Sequence, residues 1–271
     1  MLIQALHTLA RLRVTFGYAA ALVVIAGILV MCGPDVQDLV VRHMSTNLHN
    51  LAHGRLGTLV GSAFVTSGGP IWAWLPGLVC LLALAELLWR SGRVLVAFTL
   101  GHIGATLIVA AGVAASIEIG WLPISVTHAT DVGMSYGAAA VLGALTAAIP
   151  LRWRPAWIGW WGSVALVVVF VGDDFTDGGH FVALSLGILL SLRFGAVATW
   201  TQARVALLVV SIAFGCMVLV NTEVSLTVAP VVGASGALLA HWLAWRWRTR
   251  AGPSPLAAEP VTAVPHMSDH L

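Results

Sequence analysis

Charge is the scarcest property of this sequence. Of its 271 residues only 9% are Asp, Glu, Lys or Arg, and lysine is missing altogether, so all thirteen basic residues are arginine. With 59% hydrophobic residues and a mean hydropathy of +0.95, this composition excludes a soluble globular domain. We also find no nucleotide, phosphate or nucleic-acid motif, and therefore expect no nucleic-acid partner.

Cysteine is also rare. Cys32, Cys80 and Cys216 lie in three separate apolar runs without the spacing of a metal site. We expect them to be small buried hydrophobic residues, and we expect neither disulfides, nor a metal, nor another cofactor.

What the sequence has in abundance is long apolar runs, most of them able to cross a bilayer core about 30 Å thick. Backbone groups in such runs find no water to bind, so the runs must be helical. The sequence therefore predicts an all-α fold, a polytopic membrane helical bundle. The predicted helices are residues 14–32, 71–89, 94–116, 131–149, 156–172, 179–194, 204–221 and 226–247.

The arginines orient these eight crossings. Eleven of the thirteen fall on one side if the helices alternate in direction, and only Arg42 and Arg55 fall on the other. By the positive-inside rule that side is the cytoplasm, and both termini face it. Residues 33–70 then form a long outer loop, and we expect its half-apolar stretch, 56–65, to form one or two short helices at the membrane surface. No transit peptide is evident, so a bacterial plasma membrane is the simplest location.

A serine and a histidine lie just inside the outer ends of two of these helices. Ser135 follows Gly133 in Asp131-Val-Gly-Met-Ser-Tyr-Gly137, and His180 follows Gly179. Both helices run inward, so the two side chains are predicted at nearly the same depth. A histidine can accept the serine proton and activate the hydroxyl as a nucleophile. The alternative is structural: a serine bonded to its own helix and an interfacial histidine.

These motifs resemble the rhomboid family of intramembrane serine proteases. That family has Gly-x-Ser-Gly on its fourth core helix and Gly-His-x-x-Gly-x-x-x-Gly on its sixth; here Gly133-Met-Ser135 and Gly179-His180-x-x-Ala183-x-x-x-Gly187 stand in those places. The resemblance implies a rhomboid-like six-helix core in residues 1–195. Two additional helices follow within 196–250, and residues 251–271, rich in Pro and Ala, are predicted to be a disordered cytoplasmic tail.

The resemblance implies cleavage of a membrane-anchored protein by a Ser135–His180 dyad without a third carboxylate, and this serine protease activity is the favoured function. Departures from the family support a rival, a catalytically inactive relative that binds membrane segments. Tyr136 replaces the glycine after the serine, and Pro70 and Trp74 stand where active members have the His and Asn that hold the oxyanion. His53 or Asn50 in the loop are possible substitutes, and Asp131 is expected to cap the fourth helix or to tune His180.

Three further features have alternative interpretations. Gly233-Ala-Ser235-Gly236 also matches the serine motif, but no later helix supplies a histidine, so we interpret it as a helix-packing surface. His102 is expected to be a buried histidine bonded to a neighbouring helix. Glu86 is expected to pair with Arg90 four residues on.

The remaining alternative is a small-solute or proton-coupled transporter that uses His102, Glu86, Asp131 and His180. Broken-helix signals in two matching halves of the sequence would favour a transporter, and they are lacking.

Overall fold

Helices are the only regular secondary structure in the part of the chain that the structure, a computed structural model, describes: residues 11–67, 69–172, 174–195 and 199–250. The helices are α1 (Arg13–Cys32), α2 (Pro34–Met44), α3 (Leu48–Ala52), α4 (Thr58–Gly61), α5 (Ile71–Trp89), α6 (Ser91–Glu118), α7 (Ser135–Ala144), α8 (Arg154–Val171), α9 (Phe175–Phe194), α10 (Gln202–Leu219) and α11 (Glu223–Arg250). Single 3₁₀ turns occupy Ser62–Phe64, Ile124–His128 and Leu145–Ala147.

Seven of these helices are long and apolar enough to cross a membrane, namely α1, α5, α6, α8, α9, α10 and α11. The prediction of a polytopic helical membrane bundle is thereby confirmed. Each of the eight predicted segments contains a helix, but the fourth is shorter than expected, because α7 begins at Ser135 instead of residue 131. The predicted disordered tail, 251–271, lies outside the described residues.

The short helix α7 is the centre of the bundle. Every residue from Tyr136 to Ala144 is buried, and α5, α6, α9 and α10 all pack against it. Its composition explains this position, since Ala and Gly let neighbouring helices approach closely. A Cβ atom at Gly143 would clash with the backbone of α9, and one at Gly101 of α6 would clash with Ala140. A helix that is surrounded in this way does not need the full length of a bilayer.

Hydrogen bonds between helix ends establish the alternating direction of the helices. Arg93, at the start of α6, donates to the carbonyl of Phe194 at the end of α9 (3.2 Å). Arg204, at the start of α10, donates to the carbonyl of Leu87 near the end of α5 (3.2 Å). We call this end of the bundle the arginine-rich end. The opposite end, which carries residues 33–70 and the start of α7, is the loop end.

Glu86 fastens α1 to the bundle at the arginine-rich end. Its fully buried carboxylate accepts hydrogen bonds from the backbone N–H groups of Val14 (3.1 Å) and Thr15 (2.9 Å), from the Thr15 hydroxyl (2.7 Å) and from the Ser91 hydroxyl. A carboxylate beside the unpaired N–H groups of a helix start satisfies them and interacts favourably with the helix dipole. The expected pairing of Glu86 with Arg90 is wrong, because these four donors surround the carboxylate instead.

Glycine residues let α11 pack closely against α8. A Cβ atom at Gly159 of α8 would clash with the carbonyl oxygen of Gly236, and one at Gly233 would lie 2.7 Å from Val164. The interpretation of Gly233-Ala-Ser235-Gly236 as a packing surface is confirmed, and Ser235 itself is exposed on the outside of the bundle. The helices α10 and α11 therefore add a layer to the core through α5 and α8.

Candidate functional site

The segment before Ser135 is held by the long loop. The backbone N–H of Asp131 donates to the Ser45 hydroxyl (2.8 Å), and its carbonyl accepts from the N–H of Thr46 (2.9 Å). Two residues later, the N–H of Gly133 donates to the carbonyl of Ser62 (2.8 Å). Gly133 has φ +125°, a conformation that side chains other than glycine rarely adopt. These three hydrogen bonds fix the end of the loop, and Ser135 is the first residue of α7.

The side chain that meets His180 belongs to Tyr136. The two rings lie edge to face with centroids 5.1 Å apart, and the phenol end of Tyr136 packs directly against Gly179, where a Cβ atom would clash with it. His180 is 7% exposed, and neither of its ring nitrogens has a hydrogen-bond partner; the Tyr136 hydroxyl, also buried, has none either. Among the described residues, no hydrogen bond joins Ser135 to His180.

The register of α7 explains why tyrosine occupies this place. Gly143 and Ala140 pack against the backbone of α9, and Tyr136 lies four residues before Ala140 on the same face. Ser135 precedes Tyr136 by one residue, which turns it about 100° around the helix away from that face. Ser135 is half-buried, at the end of a helix whose first N–H groups point toward it. The Ser135–His180 dyad stays a prediction.

The proposed supporting residues have structural partners in the loop. Both amide hydrogens of Asn50 are donated to backbone carbonyls, of Arg42 (3.0 Å) and Ser45 (2.7 Å), so Asn50 has no free donor for a substrate. The His53 ring nitrogen Nδ1 bonds the carbonyl of His49 (2.7 Å), and the two rings lie 4.3 Å apart. His53 is exposed at the surface of the loop end.

Acidic residues lie near the Tyr136–His180 contact, and of these the sequence analysis singled out Asp131 but not Asp174 or Asp177. Burial, with a smaller contribution from Asp174, raises the pKa of Asp131 to about 7. Asp177, one turn before His180, is 2% exposed and accepts a hydrogen bond from the Asn221 amide (2.9 Å). The sequence predicted that this helix begins at residue 179, which left Asp177 outside it, whereas the structure has this carboxylate in the first helical turn, where negative charge is favoured.

Pro70 and Trp74, which were predicted to stand at the oxyanion-holding positions, line a cleft of about 350 Å³ at the loop end. Leu29 of α1 and Ile71 of α5 form its two walls. Trp74 is 7% exposed and its indole N–H has no hydrogen-bond partner, so this position retains a buried donor of a different shape. The cleft lies between the free end of α1 and the beginning of α5.

The buried histidine of α6 also has a partner. Ring nitrogen Nε2 of His102 lies 3.0 Å from the hydroxyl oxygen of Ser62, which begins the 3₁₀ turn after α4. The expected burial of His102 is confirmed, but its partner lies in a 3₁₀ turn of the loop and not in a neighbouring membrane helix. Its counterpart in the loop was missed, because Ser62 is 40 residues away and its burial depends on how the loop folds.

Comparison with known proteins identified one matching family model. Searches of curated proteins and of solved structures gave no match. A family model described as "Rhomboid-like protein" matches residues 10–192, which include α1 to α9 apart from the last two residues of α9. Because the match covers more than half of the chain and contains both Ser135 and His180, this membrane protein belongs to the rhomboid-like protein family.

Proposed function

We propose that this rhomboid-like protein binds membrane-anchored client proteins without cleaving them. The observation that carries the proposal is the Tyr136 ring, which lies against His180 on the face of α7 that a nucleophile would need. General-base catalysis requires the base within hydrogen-bond reach of the hydroxyl, about 2.6–3.2 Å. With Pro70 and Trp74 at the family's oxyanion positions, stabilisation of the intermediate is weakened too, typically by 10²–10³ in rate for one lost donor.

The client would use the cleft between α1 and α5. At the loop end it is bordered by polar Gln37, Thr66 and Ser67 and, along the helices, by apolar Leu29 and Ile71. This change from apolar to polar lining suits the end of a membrane-spanning segment, where apolar side chains give way to polar ones.

In vivo crosslinking tests the proposed binding of clients in this cleft: a benzophenone amino acid at Leu29 should capture transmembrane peptides of other proteins. The same amino acid at Leu189, a lipid-exposed position on α9, is the control. Equal adducts at both positions would contradict the proposal.

Hydrolysis is the second candidate, and one observation favours it. His180 keeps two buried ring nitrogens without a partner, and a buried polar group of that kind calls for an explanation such as catalysis. Ser135 is accessible at a helix start, where N–H groups favour negative charge. In this reaction His180 would accept the Ser135 proton while the hydroxyl oxygen attacks the scissile carbonyl carbon, and it would return that proton to the leaving amine as the peptide C–N bond breaks. Water, deprotonated by the same histidine, would then hydrolyse the resulting ester and free Ser135.

Labelling with a fluorophosphonate probe separates the two candidates. If the protein only binds clients, the wild type labels no more strongly than Ser135→Ala, His180→Ala or the control Ser235→Ala, although all four are folded. Labelling that is lost in the Ser135 and His180 variants but kept in Ser235→Ala would establish an activated serine and overturn the non-cleaving proposal. Tyr136→Gly, which recreates the family's glycine, then measures how far the tyrosine limits the reaction.

We further propose that the arginine-rich end faces the cytoplasm of a bacterial cell, which would place the loop end and the client cleft on the outer side of the plasma membrane. Arginines beside the ends of α5, α6, α8 and α10 support this orientation. A cysteine accessibility experiment tests it: an impermeant thiol reagent added to intact cells should modify Leu56→Cys in the loop, and should not modify Leu151→Cys at the arginine-rich end, in a Cys-free background.

A further inference from the structure

A groove with five tryptophans in its walls runs between α8 and α10. Its volume is about 490 Å³, and its lining is apolar. The tryptophans, which lie on α8 and beside the starts of the two helices, are Trp153, Trp157, Trp160, Trp161 and Trp200. The opposite wall belongs to α10 and consists of Val205, Leu208 and Ile212. Val205 is exposed on the outside of the bundle, so the groove is open to the surrounding lipid.

The length of this groove matches one leaflet of a bilayer. Its mouth lies at the arginine-rich end, where Ile149 and Pro150 precede the start of α8. Its inner end is marked by Ile212, ten residues after the start of α10 at Gln202 and thus about 15 Å along that helix. Half of a bilayer core about 30 Å thick has the same length. The groove therefore has room for a single acyl chain that enters from the arginine-rich end.

Three arginines stand at the mouth of the groove. Arg152 is exposed, and its guanidinium carbon lies 5.9 Å from the centre of the Trp153 ring. Arg154 donates to the carbonyl of Ile149 (2.9 Å), and Arg204, at the start of α10, donates to a backbone carbonyl of α5 (3.2 Å). Carbonyl groups carry no net charge, so these bonds satisfy N–H groups without compensating the positive charges.

Negative charge is scarce at this end of the described chain. Glu86 is the one described carboxylate there; it is fully buried and already accepts four hydrogen bonds. The other described acidic residues lie toward the loop end: Asp35, Asp38, Glu118, Asp131, Asp174, Asp177 and Glu223. The counter-charge for the three arginines must therefore come from outside the described residues, and the apolar groove beside them indicates a lipid as its source.

We propose that this groove binds an anionic phospholipid. One acyl chain lies against the tryptophans, and Arg152 binds the headgroup phosphate with the help of Arg154 and Arg204. Basic pockets between helices on the cytoplasmic side of membrane proteins recognise anionic headgroups in this way. A zwitterionic headgroup carries its own cation and supplies no net counter-charge, so the groove discriminates between lipids whose acyl chains are identical.

Photolabelling of the full-length protein in phosphatidylcholine nanodiscs tests this selectivity. Phosphatidylglycerol and phosphatidylcholine, each with a diazirine near the end of the same acyl chain, are added at equal mole fraction to separate samples, and adducts are mapped by peptide mass spectrometry. One arginine near the membrane surface favours an anionic lipid by about 5-fold. The ratio of phosphatidylglycerol to phosphatidylcholine adducts should therefore be at least about 5-fold higher in residues 149–161 and 200–212 than in α1, which begins at the same end.

Three variants locate the site. Arg152→Gln should lower the phosphatidylglycerol preference of the groove by about 5-fold. Arg11→Gln removes the same charge before α1, which packs against α5 and α6, and should leave that preference unchanged. Val205→Trp places a large ring in the groove from an exposed position and should reduce labelling by both lipids. Equal labelling by the two lipids, equal effects of the two arginine substitutions, or full labelling of Val205→Trp would each overturn the proposal.

Discussion

At the scale of single residues, Tyr136 is the substitution that changes the interpretation of the site. The sequence showed that a bulky residue follows Ser135, and it predicted Ser135 and His180 at nearly the same depth. The direction of each side chain could not be predicted in the same way. It depends on which face of α7 meets α9, and that face is chosen by close contacts at Ala140 and Gly143 far from the motif.

Asp131 makes stability depend on pH. Burial raises its pKa to about 7, so between pH 4 and 7 the folded protein holds a proton that the unfolded chain has lost. Folding is therefore favoured at low pH and loses this contribution as pH rises toward 7. Asp131→Asn should raise the unfolding midpoint at pH 8 relative to wild type, by an amount corresponding to roughly 1–4 kcal/mol, and the increase at pH 4.5 should be about a quarter of that.

Thermal unfolding of both proteins in the same detergent at the two pH values measures this difference. Asp35→Asn, on the exposed first turn of α2, is the matched control and should follow the wild type. The comparison between variants removes the pH-dependent contributions to stability that all of them share. One of these comes from His49, whose pKa is lowered by desolvation and by the neighbouring His53, His128 and Arg55. A stabilisation of the same size at both pH values would show that charge on Asp131 is not the cause.

At the scale of elements, apolar run length predicted every long helix, because a bilayer leaves the backbone no other way to satisfy its hydrogen bonds. The connections were predicted less well. The loop region 56–65 was expected to contain a short surface helix; it contains α4 and a 3₁₀ turn, but Thr58 and Ser62 are buried. Their burial depends on partners such as His102 and Gly133, which are distant in sequence.

The attachment of α1 by Glu86 can be tested by substitution. Glu86→Ala leaves the first N–H groups of α1 and two hydroxyls without their acceptor, and each buried unsatisfied group costs about 1–3 kcal/mol. We expect faster hydrogen exchange across the first turns of α1, measured by mass spectrometry in nanodiscs, and a lower unfolding midpoint. Glu118→Ala, at the end of α6, should change neither. Unaltered exchange of α1 in Glu86→Ala would mean that packing alone holds this helix.

At the scale of the whole molecule, the layer formed by α10 and α11 depends on small residues. Gly159→Leu should displace α11, because any side chain at this position meets the carbonyl oxygen of Gly236. Gly162→Leu, three residues later on the same helix, has open space around it and should be tolerated. Proteolysis of α11 in detergent and the unfolding midpoint measure the difference. Similar behaviour of the two variants would show that α11 is not held by this contact.

The attachment of α1 at one end has a mechanical consequence. Only Thr15 and Leu22 of this helix are buried, whereas Val30 and Met31 at the far end are largely exposed. With 20 residues, α1 is about 30 Å long, and only its first turn is bonded to the Glu86 carboxylate. A tilt of about 10° around this attachment would move the far end by roughly 5 Å, comparable with the width of a side chain. A tilt of α1 about its arginine-rich end would therefore widen or narrow the cleft between α1 and α5 without any change in the helices of the core.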